Sequence, residues 1–497
     1  MSGFTREGQR KGGTQAVRHG MLAPVMPTTR RALLVLASLA ACTDAPAPAS
    51  GEDDSSGATA DDTGTTAVAT DAGSSGSGVP DDAPRFYEDV LPLVAQHCQG
   101  CHVAEGIGPF DLTDYATAAA LAPSIAASTA ARQMPPFVAS NTGECNTFAN
   151  ARWLADDEID LLQRWADAGA PEGDATLARP QPPAPEQLAG DDIVTLKSPA
   201  GYAPVADDAG PADDYQCFLV DPQVGDTARY LIGYEVVPGN AQVTHHMIGF
   251  LVDPSATTPL GGTNGSLMQS LDDGTPDQPG WDCFGAAGNG VLVEGTPVTW
   301  APGGGAFNFP AGTGIRIDPG YVLVLQMHYN LAAGSGSDQS ELRLSMVDEV
   351  EREAVNALDD RFLATLFNGG GVTLPPGESS TVWQWRAPLR EWDSRISAWP
   401  QVELLGMLPH MHALGRRMQV TIKRSGDDAE SCGLYVDRWD FNWQQAFMYD
   451  TPILLSPSDQ LEITCEWDTS SRQSPVAPGL GTSNEMCLLG VYAAAAK

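Results

Sequence analysis

The stretch Leu405–Gln419, LGMLPHMHALGRRMQ, places His410 and His412 one residue apart within a run of apolar and β-prone residues. On a β-strand, residues i and i+2 point to the same face, so the two imidazoles would converge on one point. The other histidines after residue 102 are His245, His246 and His328. They lie in similar runs, THHMIGF and LQMHYN, and this clustering of imidazoles predicts transition-metal ligands.

The chain from about residue 195 onward consists of short β-prone runs such as ARYLIGYEVV, YVLVLQMHYNL and LEITCEW, separated by Gly, Pro, Asp and Asn. Such spacing predicts antiparallel β-sandwiches or jelly rolls rather than long helices. The region is long enough for two of them, which we expect at 196–352 and 353–497. The predicted fold class is therefore multidomain, with a small all-α domain, described below, followed by two all-β jelly-roll sandwich domains.

The composition limits the classes of partner. Of the 497 residues, 42% are hydrophobic, which is enough for well-packed cores. The formal net charge of -36 argues against nucleic acid or an anionic membrane surface as a partner. We interpret the acidic pair Asp213-Asp214 as a solvated loop. The alternating aromatic residues Trp439, Phe441 and Trp443 are typical of core packing, although they could also line a cleft.

The first residues resemble an export signal. After two arginines comes the apolar run ALLVLASLAA, which is too short to span a bilayer and ends in LAAC at residues 39–42. This ending resembles a bacterial lipobox, so residues 1–42 are predicted to be a lipoprotein-type signal segment with Cys42 acylated. An ordinary cleaved signal, in which Cys42 is incidental, stays open as an alternative. Residues 43–83, rich in Ser, Gly, Thr, Ala and Asp, are predicted to be a disordered linker.

This signal predicts an exported protein. We expect it to be lipid-anchored in the periplasm or at the outer-membrane surface of a Gram-negative bacterium, with the lipid as its only contact with the membrane.

The sequence Cys98-Gln99-Gly100-Cys101-His102 is the C-x-x-C-H attachment signature of c-type haem. In that signature both thiols bind the haem covalently and the histidine ligates the iron. A redox disulfide or half of a zinc site is the alternative, but no second cysteine pair with zinc spacing follows. Because haem is attached to c-type apoproteins outside the cytoplasm, the motif agrees with the export signal.

Met134, in ARQMPPF, is the predicted sixth iron ligand, since it follows an Ala-rich helical stretch and precedes two prolines. Thioether ligation raises the haem potential, which suits electron transfer, while core packing of Met134 is the alternative. A closing helix in ADDEIDLLQRWADAGAPEGD completes a unit at 84–175 that resembles a small class I cytochrome c. A Pro-rich linker is expected at 176–195.

His245 and His246 are adjacent, and adjacent residues on a regular strand face opposite sides. They can share one metal only at a strand end or β-bulge, or through different ring nitrogens. His328 would complete a three-imidazole site, which is typical of copper or zinc.

The pair His410 and His412 lacks a third histidine, and Met486 in TSNEMCLLGVY is the candidate for the missing ligand. A thioether is a soft donor that favours copper over zinc, but packing in the core stays open as the alternative for Met486.

The motifs THHMIGF, LQMHYN, LPHMHALGR and SNEMC occur here in the same order as in the copper type II ascorbate-dependent monooxygenases. The resemblance to this family, which includes the peptidylglycine α-hydroxylating and dopamine β-monooxygenases, covers about residues 200–495. It implies two jelly-roll sandwiches that face each other across a solvent-filled cleft, and two copper ions. One copper, which transfers electrons, would be held by His245, His246 and His328. The other, which binds and activates O2, would be held by the catalytic residues His410, His412 and Met486.

The family's reaction hydroxylates a substrate C–H bond and yields an alcohol and water. Where the peptide-amidating member binds a substrate carboxylate through an arginine and a tyrosine, this chain has Leu408 and Gly490, and Leu488 stands in place of an asparagine. The resemblance therefore does not extend to peptide amidation, and an uncharged organic substrate is expected.

Apart from the lipobox and haem cysteines, six cysteines remain, an even number that suits disulfides in an oxidising compartment. Cys465 and Cys487 match a family disulfide beside the methionine ligand. Cys217 and Cys283 are expected to fasten the first sandwich around the adjacent histidines. The pairing of the last two, Cys145 and Cys432, stays open.

The sequence thus predicts a dicopper monooxygenase that hydroxylates a substrate C–H bond with O2, with electrons supplied through one covalently bound haem c. The electron donor would be an ascorbate-like reductant or another redox carrier. The alternative is a copper-binding electron-transfer surface protein without hydroxylase activity.

Overall fold

The computed structural model of the chain describes residues 80–497, except 105–107, 178, 182–185, 200, 207–212, 260, 284–285, 332–333, 360–371, 428 and 480–483. The predicted signal segment with Cys42 and nearly all of the predicted linker at 43–83 lie outside the described residues. The described helices are all too short or too polar to span a lipid bilayer.

Most helical structure lies before residue 170. The first helical stretch, α1, consists of the consecutive segments Phe86–Val90, Leu91–Leu93 and Val94–Cys98. The longer helices are α2 (Tyr115–Ala130), α3 (Asp156–Asp167) and α4 (Asn264–Asp273). Two single turns of 3-10 helix cover Leu389–Glu391 and Ile396–Ala398. The start of α2 is fixed by Asp114, whose carboxylate accepts a hydrogen bond from the backbone N–H of Thr117 at 2.9 Å.

The rest of the described chain is mainly β structure. Its strands are β1 (Ile193–Lys197), β2 (Asp213–Val220), β3 (Arg229–Val237), β4 (Thr244–Val252), β5 (Trp281–Asp282), β6 (Gly295–Trp300), β7 (Phe307–Asn308), β8 (Thr313–Ile317), β9 (Val322–Asn330), β10 (Glu341–Val347), β11 (Arg352–Asp359), β12 (Thr381–Pro388), β13 (Val402–His410), β14 (Gly415–Lys423), β15 (Glu430–Val436), β16 (Phe447–Leu455), β17 (Gln460–Trp467) and β18 (Leu488–Ala495).

These strands form three sheets. A five-stranded sheet has the order β5-β2-β9-β4-β6, and a four-stranded sheet has the order β12-β17-β14-β15. A nine-stranded sheet runs β1-β10-β3-β8-β11-β18-β13-β16, with β7 added beside β3. One apolar core joins the five-stranded sheet to the first strands of the large sheet, and another joins the four-stranded sheet to its last strands. The prediction of β-sandwich architecture with few helices is confirmed at this level.

Alternation along the strands explains this layering. In β17 the side chains of Leu461, Ile463, Cys465 and Trp467 are fully buried, whereas the residues between them are only partly covered. Each large apolar side chain removed from water contributes about 1.5–3 kcal/mol to folding. A strand with a period of two therefore packs one face against the opposite sheet.

The two sandwiches share their back sheet, which the sequence did not predict. Strand β8 pairs with β11 in parallel, with Arg352 opposite Thr313 and Ala354 opposite Ile315. Since β11 begins at Arg352, the chain passes from one half to the other within a continuous sheet.

The helical region, α1 to α3, has a small core of its own that includes Phe86, Leu162 and Trp165. The segment between α2 and α3 behaves differently, because Phe137 and Phe148 pack in the core of the second sandwich. Backbone bridges join Ala139 to Val436 and Phe148 to Tyr449. Part of the range 84–175 is therefore built into the edge of the second sandwich.

Candidate metal centres

A β-bulge brings His245 and His246 to the same side of β4. Thr244 pairs with Tyr329 and His246 pairs with His328 of the neighbouring strand β9, so that His245 is the extra residue of β4. This is the irregularity that the sequence required for two adjacent histidines to reach one metal.

The three imidazoles of this first cluster converge through Nδ1. Nδ1 of His328 lies 3.1 Å from Nδ1 of His245 and 3.2 Å from Nδ1 of His246. With metal–nitrogen bonds of about 2.0 Å, such separations correspond to N–metal–N angles of about 100° at a shared ion. The ligand atoms of the whole cluster lie within 4.8 Å of one another. The geometry therefore suits one ion bound by three imidazoles.

Burial keeps these imidazoles neutral. Burial, and next the neighbouring His328, lower the pKa of His245 to about 4. Burial also lowers the pKa of His246 well below its ordinary value. The neutral imidazole is the form that binds metal, so the cluster is ready for a cation at neutral pH.

Asp213 and Tyr215 hold His328 in place. Oδ1 of Asp213 lies 3.1 Å from Nε2 of His328 and accepts a hydrogen bond from the side chain of Asn330 at 3.0 Å. The contact with His328 lowers the pKa of Asp213. The ring of Tyr215 stacks on His328 with centroids 4.1 Å apart. The interpretation of Asp213-Asp214 as a solvated loop was wrong, because both begin β2 and Asp214 is buried.

The second cluster lies where β13 ends. His410 is the last residue of β13 and pairs with Leu488 of β18, while His412 lies just beyond the strand. The two ring centroids are 5.2 Å apart. Nδ1 of His410 is 2.5 Å from Oε1 of Gln444, and Nδ1 of His412 is 3.1 Å from the carbonyl oxygen of Asn484. Both contacts are made by Nδ1, so Nε2 is the nitrogen that each ring would offer a metal.

Met486 lies in the segment that contacts His412. It is fully buried and comes two residues before Leu488, the partner of His410. The role of its sulfur as a metal ligand stays a prediction.

Glu485 joins the two segments of this cluster. Its Oε2 accepts hydrogen bonds from the backbone N–H of His412 at 3.0 Å and from Nε1 of Trp467 at 2.8 Å. Its Oε1 accepts from the backbone N–H of Leu414 at 2.6 Å. Burial raises the pKa of Glu485 to about 7. Sequence reasoning missed this residue, although the motif SNEMC contains it.

Both clusters face one cavity of about 80 Å³, here called the histidine cavity. Its walls include His246 from the first cluster and His410 and His412 from the second. The remaining walls are largely apolar and include Leu408 and Leu488. The space between the clusters is therefore a narrow cavity in this structure rather than a wide cleft.

The loop at 437–446 lies between the two histidine clusters. Its aromatic residues have different roles. Trp439 is buried in the core and donates a hydrogen bond from Nε1 to the carbonyl oxygen of His412 at 3.0 Å. Phe441 lines the histidine cavity, with its ring 5.7 Å from that of His412. Asn442 lies beside His245 of the first cluster, where it partly offsets the lowering of the His245 pKa by burial. The loop thus touches both histidine clusters.

Cys98 and Cys101 are not joined in a disulfide. Burial raises the pKa of Cys98 to about 12, so its thiol is protonated. The His102 ring stacks on Phe110 with centroids 4.8 Å apart, and its buried Nδ1 has no hydrogen-bond partner among the described residues. The side chain of Met134 is 39% exposed. A pair of free thiols next to an unsatisfied imidazole suits covalent attachment of a haem.

The described part of the chain contains three disulfides. Cys465–Cys487 and Cys217–Cys283 are formed as the sequence predicted, and Cys145 pairs with Cys432. Disulfides of this number indicate an oxidising compartment and hence an exported protein.

Comparison with known proteins gives the same family as the sequence motifs. Residues 364–493 match the family model described as copper type II ascorbate-dependent monooxygenase, C-terminal domain. The chain is 28% identical to mouse DBH-like monooxygenase protein 1 over 40% of its length, and 24% identical to mouse DBH-like monooxygenase protein 2 over 56%. It is 22% identical to human dopamine beta-hydroxylase over 56% of its length.

The matched parts span less than half of these relatives, namely 33%, 43% and 43% of their lengths in the same order. Together with the match over the second sandwich, these relatives show that the chain is similar to the copper type II ascorbate-dependent monooxygenase family.

Proposed function

We propose that this protein is a dicopper monooxygenase that hydroxylates a C–H bond of an uncharged organic substrate with O2. The observation that carries the proposal is that two histidine clusters line one apolar cavity. The balanced reaction converts R–H, O2, two electrons and two protons into R–OH and water. Copper would supply the one-electron chemistry and the activation of O2, and the chain supplies its ligands and the substrate cavity.

The two ligand sets suit different tasks. His245, His246 and His328 offer three neutral imidazoles, a donor set that accepts copper for electron transfer. His410 and His412 with Met486 add a soft thioether, which favours Cu(I), the form that must meet O2. The different donors would therefore hold two coppers with separate roles.

The walls of the histidine cavity support an uncharged substrate. Leu408, two residues before His410, and Leu488, its partner on β18, both line the cavity, and Ile248 and Phe441 add apolar surface. Such apolar surface excludes water from the reacting atoms, and the described lining residues include no Arg or Lys that would form an ion pair with a substrate carboxylate.

We further propose that electrons arrive through a covalently bound haem c in the helical region. Cys98 and Cys101 would carry the porphyrin, His102 would be one axial ligand and Met134 the other. A one-electron carrier in the same chain can stand in for, or relay, an ascorbate-like reductant. Lipid anchoring at Cys42, in the periplasm or at the outer-membrane surface of a Gram-negative bacterium, belongs to the same proposal.

The decisive experiment is Met486→Ala in the full chain loaded with copper and haem. Reductant-dependent O2 consumption and alcohol formation are expected to be lost, while one copper per chain and the haem are retained. Met418→Ala is the matched control, because Met418 is equally buried in the same core but lies on β14. Unchanged product formation by the Met486→Ala variant would refute the proposed oxygen site.

One observation favours a second candidate function. The histidine cavity of about 80 Å³ is far smaller than the roughly 300–1,000 Å³ of typical small-molecule sites, so a substrate enters only if the walls move. A copper-binding electron-transfer surface protein needs no such movement. Reduction of haem and copper without an oxygenated product from a broad substrate panel would establish this second function.

A further inference from the structure

Cys101, the second cysteine of the predicted haem motif, contacts the first sandwich. A Cβ placed on Gly303, in the loop after β6, would lie only 2.7 Å from Sγ of Cys101. Gly303 has a φ of +79°, so a side chain there would also strain the backbone. The sulfur that would carry the porphyrin is therefore packed directly against this loop.

Behind this contact is an outer cavity of about 400 Å³, bounded by the segment between α2 and α3 and by both sandwiches. Pro136 and Arg152 come from the segment between α2 and α3, Gly303 from the first sandwich and Trp443 from the second. Its size falls in the range of sites that hold organic groups.

The outer cavity and the histidine cavity share a wall. Thr299, Trp300 and Gln444 line both. Trp300 is buried and donates a hydrogen bond from Nε1 to the carbonyl oxygen of Gly304 at 2.9 Å, which fixes its ring beside the loop. Gln444 reaches the other side, where its Oε1 is 2.5 Å from Nδ1 of His410. The wall between the two cavities is thus only one side chain thick.

The helical region is held firmly against this wall. The disulfide Cys145–Cys432 crosses from the segment between α2 and α3 to β15. The side chain of Asn146 donates to the carbonyl oxygen of Gly433 at 2.7 Å, and that of Asn150 donates to the carbonyl oxygen of Ala446 at 2.7 Å. A fixed separation favours electron transfer between attached groups, since no docking step is needed.

We propose that the contact of Cys101 with Gly303, with Trp300 behind it, is the route by which the helical region passes electrons to the three-histidine cluster, since Trp300 pairs with Met247, the residue after His246. The proposal rests on the haem-fed function above. Each transfer oxidises one ferrous haem to the ferric state and reduces one Cu(II) to Cu(I), and no bond is made or broken. Hydroxylation consumes two electrons, so an external one-electron reductant must reduce the haem twice in each turnover.

The test compares Gly303→Ala with Gly305→Ala in the full chain loaded with haem and Cu(II). The control lies in the same loop, and a Cβ on Gly305 meets no atom within 4 Å. Substoichiometric reductant is mixed rapidly with oxidised protein, and loss of ferrous haem absorbance is followed together with loss of the Cu(II) EPR signal. Haem content, haem potential and copper content are measured for every variant.

The Gly303→Ala variant is expected to transfer electrons roughly tenfold more slowly or worse, equivalent to about 1.4 kcal/mol on the barrier. Gly305→Ala should match the wild type. If Gly303→Ala fails to fold, Trp300→Leu and Trp300→Phe replace it, and only the leucine variant should be slow.

Equal rates in all variants would overturn this route and leave the monooxygenase intact. A wild-type haem that never reduces Cu(II) would instead overturn both the route and the haem-fed function. Alcohol formation with ascorbate alone would still report separately on the hydroxylase.

Discussion

Asp213 determines which nitrogen of His328 faces the first cluster. Its carboxylate engages Nε2 at 3.1 Å, so that Nδ1 points to the other two imidazoles. A carboxylate partner also increases the basicity of the imidazole, and such partners are worth about 10–100-fold in metal affinity.

Asp213→Asn is therefore expected to weaken copper binding at the three-histidine cluster by roughly 10–100-fold, measured by copper titration with an EPR readout. Asp226→Asn, an exposed residue before β3, removes the same charge and should leave the affinity unchanged. Equal affinities for Asp213→Asn and the wild type would show that Asp213 does not orient the ligand.

Among individual residues, the sequence predicted those with a specific chemistry, such as metal-binding histidines. It missed those whose role depends on which strands and loops come together in the fold. Imidazoles at short spacing indicate metal without knowledge of the fold. Asp213 reaches His328 only because β2 pairs with β9, 115 residues further along the chain. Glu485 and Gln444 likewise acquire their contacts through loops that no local pattern specifies.

The segment between α2 and α3 lies among the helices in the sequence but packs against the second sandwich in the structure. It adds bridges to β15 in the four-stranded sheet and to β16 in the large sheet, and so closes one side of the second sandwich. Its aromatic residues Phe137 and Phe148 both pack against Phe447. The sequence could not indicate this, because the paired residues are separated by about three hundred positions and the pairing of Cys145 with Cys432 stays open from the sequence alone.

The disulfide Cys145–Cys432 closes a loop with a sequence separation of 287. Removing a disulfide that closes a long loop raises the entropy of the unfolded chain and costs about 2–5 kcal/mol. The Cys145→Ser, Cys432→Ser double variant should lose about this much unfolding free energy in denaturant titrations and keep its copper. An unchanged free energy would mean that the aromatic contacts alone hold the segment.

On the scale of the whole molecule, the nine-stranded sheet shared by both sandwiches could not be predicted from the alternation of apolar and polar residues. The alternation of apolar and polar residues along a strand is the same whether that strand pairs with a neighbour in its own sandwich or with a strand of the other sandwich. Alternation therefore predicts two sandwiches but not the parallel pairing of β8 with β11. The same pairing brings both histidine clusters to one cavity, since it fixes the halves side by side.

Arg352 lies at this junction, where its backbone pairs with the first sandwich and its side chain contacts strands of the second. It pairs with Thr313 of the first sandwich, forms an ion pair with Glu403 at 2.6 Å and donates to the carbonyl oxygen of Ala495 at 2.9 Å. A continuous sheet with such a bridge predicts that both sandwiches unfold in one cooperative transition, with equal calorimetric and van't Hoff enthalpies.

Arg352→Ala should lower the unfolding free energy of the copper-free protein by about 1–3 kcal/mol, because it leaves Glu403 without its partner. It should keep a single calorimetric transition, because the backbone pairing of β11 with β8 is retained. Arg343→Ala is the control, since its ion pair with Glu235 at 2.9 Å lies within the first sandwich. That variant should also keep a single transition. Two separate transitions in the wild type would contradict the coupling, because the large sheet would then break at β8 and β11 without cost to either half.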